Sequence, residues 1–275
     1  PDAPTAQALK VAAPPKLDGL LDDPIWQKAT AIAGFKQREP EEGRDASEPT
    51  TVRIAYDQSH LYIGAMLDDS VPAEIRASEL RRDNTLDSDD TFSVLLDTYH
   101  DHRNAFVFRV NPRATRFDAL VRNESRFYYA DWDEQWTAAA VLTATGWSVE
   151  IAIPFKILRF TGAAAQTWGL NFERVIKRRN EMAYWAGWGR DFAFQNVSQA
   201  GHLGGLTDLK QAERLRLRPY FLGGAESLDA VPAPAGTRRI TEIGIDDLKW
   251  QATSTLTADL AVNPDFAQTE VDAQQ

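Results

Sequence analysis

Two charged residues border the most apolar part of the chain and are the first candidates for binding chemistry. Apolar runs at 92–96 and 105–110 enclose a polar connector, a pattern typical of an antiparallel hairpin. Asp90 lies just before the first run, and Arg109 lies within the second. A charged group among apolar neighbours needs a partner or a groove. We therefore predict that Asp90 and Arg109 either face a bound polar ligand or pair with each other across the hairpin.

Two acidic segments carry oxygen donors of the kind that calcium prefers. The first holds Asp87 and Asp89 beside Asp90, and the second holds Asp131 and Asp133. Neither segment has the full ligand spacing of an EF-hand loop. The residues therefore predict either a calcium site or solvated acidic loops.

The polar connector of the hairpin holds His100 and His102 next to Asp97 and Asp101. The connector has no third clear metal ligand, so we interpret these residues as polar turn residues. No carboxylate spacing selects a glycosidase-like acid pair, and the sequence has neither a serine nucleophile elbow nor a glycine-rich phosphate loop. These observations predict a protein that is not an enzyme.

The composition limits the class of partner. The 275-residue chain has 30 basic and 40 acidic residues, and its net charge of −10 disfavours a nucleic acid partner. Hydrophobic residues make up 43% of the chain, which is enough for a packed core. No cysteine is present, so disulfides, thiolate zinc sites and cysteine nucleophiles are excluded.

Short apolar or alternating runs, separated by turn residues, position these candidate groups. Runs at 51–57 and 61–67 predict one hairpin, and runs at 138–144 and 147–153 predict another. Further strands are predicted at 116–124, 168–176 and 182–188. Helical periodicity is almost absent, and about nine or ten short strands with turn signals are typical of a sandwich. The sequence therefore predicts an all-β fold, an antiparallel β-sandwich over residues 16–210.

Several shorter segments have signals of their own. Residues 1–15, which are rich in proline and alanine, are predicted to be a loose lead-in. Residues 36–50 are predicted to be a loop, and residues 201–205 a turn between strands. Asp23 predicts the cap of a short helix, and Trp26 on that helix is predicted to be buried.

The final segment, residues 211–275, has a different pattern. Strict alternation occurs in runs at 215–222, 241–252 and 254–263. In the last run Leu256 and Leu260 lie on one side, with polar residues on the other. One apolar and one polar face per strand are typical of outer-membrane barrels, of which the smallest have about eight strands. We interpret residues 211–275 as the strands of an incomplete outer-membrane β-barrel; the alternative is a soluble extension of the sheet.

Four short motifs, in this order, resemble carbohydrate-binding module family 9. They are LDGLLDDPIW at 17–26, VRIAYD at 52–57 with LYIGA at 61–65, DDTFSV at 89–94, and GWSVEIAIP at 146–154. The last third resembles the barrel that follows this module in a group of bacterial outer-membrane proteins of unknown function, most specifically in VNPDFAQTEV at 262–271. Together the two resemblances cover nearly the whole chain.

The resemblance to family 9 implies a β-sandwich that binds sugar without catalysis, often with calcium. Members of the family clamp a sugar between two aromatic rings and bind its hydroxyls with acidic, arginine and asparagine side chains, which suits the apolar face and polar rim of a sugar. By position, Asp90 matches the acidic residue, Arg109 matches the basic residue, and Trp185 or Trp188 matches the late aromatic. The other clamp aromatic is expected within residues 81–89, which contain none.

Other aromatic residues offer substitutes for the missing clamp ring. Tyr128, Tyr129 and Trp132 lie in the connector that follows the predicted strand at 116–124. Trp185 and Trp188 stand three apart in a strand-like run, so their side chains are predicted to point to opposite faces, one buried and one exposed.

The residues and the resemblance together predict a non-catalytic glycan-binding module attached to an outer-membrane barrel, with a role in polysaccharide uptake or degradation. The module is expected in the periplasm or at the cell surface. The alternative is a degenerate sandwich that serves the barrel as a structural or protein-interaction domain and binds no sugar. The missing clamp aromatic supports this alternative.

Overall fold

The computed structural model describes residues 3–209, 214–228, 236–251 and 257–262. The chain divides into two compact units, Pro1–Gln211 and Ala212–Gln275. The boundary predicted from the sequence lies between residues 210 and 211. No helix in the described part of the chain combines the length and the apolarity needed to span a bilayer.

Strands form almost all of the regular structure of the first unit. Fourteen strands occur among its described residues: β1 Thr5–Gln7, β2 Leu9–Lys10, β3 Lys36–Glu39, β4 Thr50–Tyr56, β5 His60–Asp68, β6 Thr91–Asp97, β7 Ala105–Val110, β8 Arg116–Arg122, β9 Phe127–Tyr129, β10 Thr137–Thr143, β11 Gly146–Pro154, β12 Ala165–Ile176, β13 Glu181–Tyr184 and β14 Gly201–Thr207. One short helix, α1, spans Pro24–Lys28, and 3₁₀ turns lie at Pro72–Glu74, Phe155–Ile157, Lys177–Arg179 and Val197–Gln199. The predicted all-β class is confirmed.

The strands of the first unit form two sheets. The large sheet has the order β1-β14-β12-β6-β7-β8-β9, and β13 pairs with both β12 and β3. The small sheet has the order β10-β11-β5-β4-β2. Only the edge pairs β1–β14 and β2–β4 are parallel among the strand pairs described in these two sheets. The predicted sandwich is therefore present, with antiparallel pairing throughout its centre.

The main core lies between the two sheets. Phe92, Val94 and Leu96 of β6 belong to one buried cluster with Val149 and Ile151 of β11. Successive side chains of a strand point to opposite faces, so the intervening residues of β6 reach the other side of the large sheet.

The side of the large sheet that is turned away from the small sheet, here called the outer face, carries a second cluster. Leu95 of β6, Val107 of β7 and Phe117 of β8 share it with the loop residues Leu86 and Phe194. Because both faces of the large sheet are covered at its centre, β6 is buried along its whole length.

Three of the family-like motifs meet on the small sheet. Glu150 of β11 is fully buried and accepts hydrogen bonds from the backbone N–H groups of Asp18 and Gly19, at 2.9 and 2.8 Å, and from Trp26 Nε1 at 2.8 Å. Trp26 is 1% exposed, as predicted. Gly64 of β5 makes room for the indole, since a β-carbon there would lie 3.0 Å from the ring. These motifs therefore hold α1 against the small sheet.

Two predictions about segments without obvious strand patterns are wrong. The lead-in is not loose, because β1 and β2 pair with strands of both sheets, and Ala6 and Ala8 are buried. The buried positions hold alanine, whose small side chain gives a weaker apolar–polar alternation in the sequence than a larger apolar residue would give. Residues 201–205 form most of β14 and not a turn, and Leu203 of that strand is fully buried.

Two further local predictions need correction. Residues 36–50 are not wholly a loop, since β3 lies within them and pairs with β13. Asp23 occupies the N-cap position of α1 but makes no side-chain cap bond. Its carboxylate instead accepts a hydrogen bond from the backbone N–H of Lys16, at 2.9 Å.

The second unit contains three strands among its described residues: β15 Arg214–Leu228, β16 Gly236–Gln251 and β17 Thr257–Val262. They form an antiparallel sheet in the order β15-β16-β17. The pairing of β15 with β16 shifts between Arg218 and Pro219, where proline has no N–H to donate. Leu256, predicted to line one side of the last strand, lies outside the described residues.

Candidate ligand-binding site

A row of side chains crosses the outer face through four neighbouring strands. Glu173 of β12 pairs with Ser93 of β6 in the strand register. Ser93 also pairs with Arg109 of β7, and Arg109 pairs with Phe117 of β8. Residues that are directly opposite on neighbouring strands have Cβ atoms about 4.5–5.5 Å apart, so their side chains interact. The register therefore brings one acid, one hydroxyl, one guanidinium and one aromatic ring together.

The Arg109 guanidinium is held from three sides. Its Nε donates to Ser93 Oγ at 2.9 Å, Nη2 donates to Glu173 Oε1 at 3.0 Å, and Nη1 donates to the Thr85 carbonyl at 3.3 Å. Burial opposes the charge of Arg109, but Glu173, Tyr128 and Asp87 together outweigh it, so the pKa of Arg109 lies above its ordinary value. A guanidinium has five N–H groups, and these three bonds leave two of them for a ligand.

An exposed aromatic ring borders the guanidinium. Tyr128 of β9 stacks against Phe117 with ring centroids 6.4 Å apart, and 38% of Tyr128 is exposed. The central guanidinium carbon of Arg109 lies 5.9 Å from the Phe117 ring centroid. Burial raises the pKa of Tyr128 to about 12, with Glu173 and Asp87 adding to the increase and Arg109 opposing it. Tyr128 is therefore a neutral hydrogen-bonding group at neutral pH.

Asp87 is the member of the first predicted metal set that lies near this row. It is exposed, and its charge acts on both Arg109 and Tyr128. The row and its border thus combine donors, acceptors and an exposed ring, which is what recognition of a polar ligand with an apolar face requires. We call Glu173, Ser93, Arg109, Tyr128 and Asp87 the outer-face site.

The structure does not bring Asp90 to this site. Asp90 is buried, and its carboxylate accepts a hydrogen bond from the backbone N–H of Lys177 at 2.7 Å. Burial raises the pKa of Asp90 above its ordinary value. Asp90 and Ser93 are three residues apart, so they point to opposite sides of the strand. The predicted alternative of an Asp90–Arg109 ion pair is therefore wrong, because Arg109 pairs with Glu173.

The two candidate tryptophans lie after β13 and not within a strand. Trp185 is 7% exposed and packs in the main core, with its ring centroid 5.8 Å from that of Phe172. No ring face of Trp185 is open for stacking. Trp188 is half-buried and packs against the cluster on the outer face, beside Gly43. Of the two predicted aromatics, Trp188 is the one on the same side of the large sheet as Arg109.

The candidate aromatics of the connector also separate. Tyr129 and Tyr128 are neighbours on β9, so they point to opposite sides, and Tyr129 stacks with Phe127 at 6.3 Å. Trp132 packs against Phe106 and Phe108, with ring centroids 5.2 and 6.0 Å away, at the border of the main core. Tyr128 is therefore the connector aromatic that the structure places beside Arg109.

The four predicted metal ligands are not gathered at one point. Asp89 is buried, and its carboxylate accepts hydrogen bonds from Ser78 N–H at 2.8 Å, Glu79 N–H at 2.9 Å and Asn111 Nδ2 at 2.8 Å. Its oxygens are therefore occupied in fastening the loop that precedes β6. Asp131 is exposed and belongs to no group of metal ligands among the described residues.

Asp133 does meet two other carboxylates, those of Asp83 and Asp118, within 4.8 Å of one another. The guanidinium of Arg82 forms ion pairs with all three. The Arg82 guanidinium thus already contacts all three carboxylates and offsets one of their three negative charges, so a calcium ion would have to displace it. The predicted calcium site stays a prediction; of its four residues, only Asp133 meets other carboxylates among the described residues.

Sequence reasoning missed Glu173 and Ser93. The sequence signal for Glu173 was weak. Like Arg109, it is a charged residue within a strand whose other residues alternate. A cleft elsewhere, lined by Lys10, Val11 and Ala12 with residues 57–59, contains no aromatic side chain. The outer-face site is therefore the better candidate for a ligand that stacks on a ring.

The two packed sheets define the class of the protein as a β-sandwich. Residues 17–205 match the family model described as carbohydrate family 9 binding domain-like. The chain therefore belongs to this family, as the sequence motifs predicted. A comparison with curated proteins found no match.

Solved structures share the fold. A carbohydrate binding module family 9 from Caldicellulosiruptor kristjanssonii in complex with glucose is 17% identical, with a TM-score of 0.54, and the alignment covers 76% of this chain and 97% of that one. The same module in complex with cellotriose is 16% identical, with a TM-score of 0.53 and coverages of 76% and 95%. A putative carbohydrate-binding protein from Bacteroides uniformis is 12% identical, with a TM-score of 0.60 and coverages of 74% and 99%.

Proposed function

We propose that the first unit is a non-catalytic module that binds carbohydrate on its outer face. The observation that carries the proposal is the exposed Tyr128 ring beside the Arg109 guanidinium, which Ser93 and Glu173 hold in place. Membership of a family of binding domains supports it. The titles of two structures with the same fold name glucose and cellotriose as ligands.

The chemistry of this site suits a sugar. A pyranose ring presents an apolar face of C–H groups, which stacks on an aromatic ring, and a rim of hydroxyls that both donate and accept hydrogen bonds. The two free N–H groups of Arg109 supply donors, and the carboxylate of Asp87 supplies acceptors. The bonds that Ser93 and Glu173 make with Arg109 fix the guanidinium before the ligand arrives, which lowers the entropic cost of binding.

Calorimetric titration tests this proposal. The 275-residue chain is titrated with a panel of mono- and oligosaccharides that includes glucose and cellotriose, and the sugar with the largest saturable heat is then titrated into variants. Tyr128→Ala removes the exposed ring, and Tyr129→Ala is the matched control because its side chain points to the other side of β9. Loss of one stacked ring should weaken binding roughly 5-fold to 13-fold, from an aromatic contact of about 1–1.5 kcal/mol.

The expected result is weaker binding by Tyr128→Ala and unchanged binding by Tyr129→Ala. Equal affinities of the two variants would remove the outer-face site from the proposal. No saturable heat with any sugar, from protein that is folded by circular dichroism, would refute carbohydrate binding.

A second candidate function is favoured by the position of Trp185. Because the Trp185 ring is packed in the main core, the outer-face site has one exposed ring for stacking, Tyr128 of β9. The resemblance implies a pair of aromatic rings that clamp the sugar. A sandwich with an incomplete clamp would act as a structural or protein-interaction domain. Binding of another envelope protein to Tyr128, in the absence of any sugar binding, would favour this second function.

We also propose that the second unit belongs to an outer-membrane barrel and that the first unit lies in the periplasm or at the cell surface. Membrane-spanning barrel strands need about 9–11 residues, and β15 and β16 have 15 and 16. Leu260 of β17 is 56% exposed, as a lipid-facing residue would be. Fractionation of cells that express the protein tests this localisation. Recovery in the outer membrane is expected, and recovery in the inner membrane or the soluble fraction would contradict the proposal.

A further inference from the structure

Three of the four histidines of the chain lie together at one end of the large sheet. His100 and His102 lie in the turn between β6 and β7, and His202 lies on β14. The ring centroid of His100 is 4.6 Å from that of His102 and 5.1 Å from that of His202. We call these residues the histidine cluster. The sequence showed two of its members, and the fold adds the third from 100 residues further along the chain.

The turn that carries two of these histidines has an unusual backbone. His100 and His102 both have left-handed conformations, with φ of 53° and 57°. Such conformations disfavour side chains in general, although histidine tolerates them better than most. The buried carboxylate of Asp97 holds the turn by accepting hydrogen bonds from the backbone N–H groups of Asp101, at 3.2 Å, and His102, at 2.8 Å. The loop thus bears a conformational cost while it places both imidazoles beside β14.

A glycine separates the strands that carry the cluster. Gly169 of β12 pairs with Asp97 of β6 on one side and with His202 of β14 on the other. A β-carbon at this position would lie 2.9 Å from the Asp97 β-carbon. Because β12 presents no side chain here, the turn residues can reach His202 across it.

The spacing of two imidazole nitrogens matches that of metal ligands. His100 Nε2 lies 3.1 Å from His202 Nδ1. Two nitrogens that bind the same tetrahedral zinc ion at 2.0–2.1 Å are about 3.3 Å apart, from simple geometry. The two nitrogens therefore have to separate only slightly to hold an ion between them.

We propose that the histidine cluster binds a divalent transition-metal ion of the zinc type. His100 Nε2 and His202 Nδ1 are the first two ligands. A nitrogen of His102 does not yet lie within 4.8 Å of both, but His102 is exposed, so its ring can turn to supply the third ligand, and water completes the coordination. Imidazole nitrogen favours such ions over calcium and magnesium, which prefer oxygen ligands. The ion would join the β6–β7 turn to β14.

Metal binding does not require either imidazole ring to change its net charge. Without metal, two neutral imidazoles share one hydrogen bond, so one of the facing nitrogens carries a proton and the other accepts it. When the metal binds, that proton moves to the other nitrogen of the same ring by exchange with water. Both facing nitrogens then carry lone pairs, and both rings stay neutral.

Titration of the metal-stripped 275-residue chain with zinc chloride tests the proposal. The variants are His100→Asn, His202→Ala and His102→Asn; asparagine is chosen in the turn because it accepts the left-handed conformation. His60→Asn is the matched control, since the fourth histidine stacks on Tyr62 and is not part of the cluster. A thermal melt of each variant confirms that it is folded.

We expect one zinc ion per chain, an affinity reduced roughly tenfold or more in His100→Asn and His202→Ala, and an unchanged affinity in His60→Asn. A large excess of calcium should not displace the zinc. The absence of zinc binding, or an affinity that neither His100→Asn nor His202→Ala lowers, would overturn the proposal. So would displacement by calcium, which would assign the ion to carboxylates. His102→Asn, at an exposed position, should lower the affinity too and keeps the test valid if the other variants unfold.

Discussion

Replacement of Glu150 by glutamine tests why the family-like motifs occur together. The Glu150 carboxylate accepts two backbone hydrogen bonds at Oε2, from Asp18 and Gly19, and one indole hydrogen bond at Oε1, from Trp26. A glutamine amide has a single acceptor oxygen. If that oxygen faces the backbone pair, its NH₂ group faces the indole N–H; if it faces the indole, the NH₂ group faces the two backbone N–H groups.

Either orientation leaves at least one buried donor without an acceptor, which costs about 1–3 kcal/mol. The amide avoids burying a charge, and this offsets part of the loss, since burial raises the pKa of Glu150 above its ordinary value. We expect a net loss of about 2 kcal/mol in the free energy of unfolding. For a chain of this size that corresponds to a decrease of about 4–8 °C in Tm.

A double-mutant cycle with Trp26→Phe makes the test specific. Phenylalanine keeps an aromatic ring under the small sheet but removes the indole N–H. In that background glutamine can turn its oxygen to Asp18 and Gly19 with no donor opposite its NH₂ group. Glu150→Gln should then destabilise the protein by about 1 kcal/mol less than it does in the wild type. Additive effects of the two substitutions, or a single variant within about 0.5 kcal/mol of wild type, would refute the reasoning.

Three further predictions concern other parts of the first unit. Arg174, buried on β12, donates a hydrogen bond to the Pro49 carbonyl at 2.8 Å. Arg174→Met should therefore lower the free energy of unfolding by at least about 2 kcal/mol in a denaturant titration. An unchanged denaturation midpoint would contradict this. Gly19 and Gly34 have similar φ of 84° and 86°, but a β-carbon would lie 2.9 Å from Val141 only at Gly19. Gly19→Ala should therefore lower Tm more than Gly34→Ala does. Equal decreases would show that backbone conformation alone, without the contact with Val141, causes the loss of stability. Burial, reinforced by the charges of the two neighbouring histidines, lowers the pKa of His100 below 6.5. In the presence of a chelator, neutral His100 should therefore stabilise the protein above about pH 6.5. This contribution should be lost as the pH falls below that value. His100→Asn should make the pH dependence of Tm flatter in that range, and an unaltered pH dependence would argue against a desolvated imidazole.

Strands that follow one another in the sequence were the predictable part of this fold. The hairpins β4–β5, β6–β7 and β10–β11 each consist of two alternating runs joined by polar or glycine-containing turns, so period-two patterns and turn chemistry predicted them. The same patterns did not reveal β1, β2 and β14. β2 has only two residues, small alanine or glycine residues interrupt the apolar pattern of β1 and β14, and the pairing partners of all three strands lie far away in the sequence.

The outer-face site was predictable only in part, for a similar reason. Arg109 was recognisable because a charge within an apolar strand needs a partner. Its partner Glu173 was not, because β12 pairs with β6 across about 80 residues of chain and no local pattern fixes that register. Tyr128 was named beside Tyr129 and Trp132, but the choice among them depends on which side of β9 faces Arg109.

The same limit applies to metal ligands. The predicted metal ligands are close in sequence in two pairs, Asp87 with Asp89 and Asp131 with Asp133, but the members of each pair have different surroundings. Asp89 is buried as a hydrogen-bond acceptor, and Asp131 faces solvent apart from any group of metal ligands among the described residues. The histidine cluster shows the reverse case. His202 joins His100 and His102 only through the order β14-β12-β6 of the large sheet.

The most direct test of the central claim is a crystal structure of the 275-residue chain with the sugar that binds best in calorimetry. The account predicts that the sugar lies on the outer face, with its apolar face on the Tyr128 ring and a hydroxyl within hydrogen-bonding distance of Arg109. A sugar bound in the cleft lined by Lys10 and residues 57–59, or anywhere else away from Arg109, would contradict it.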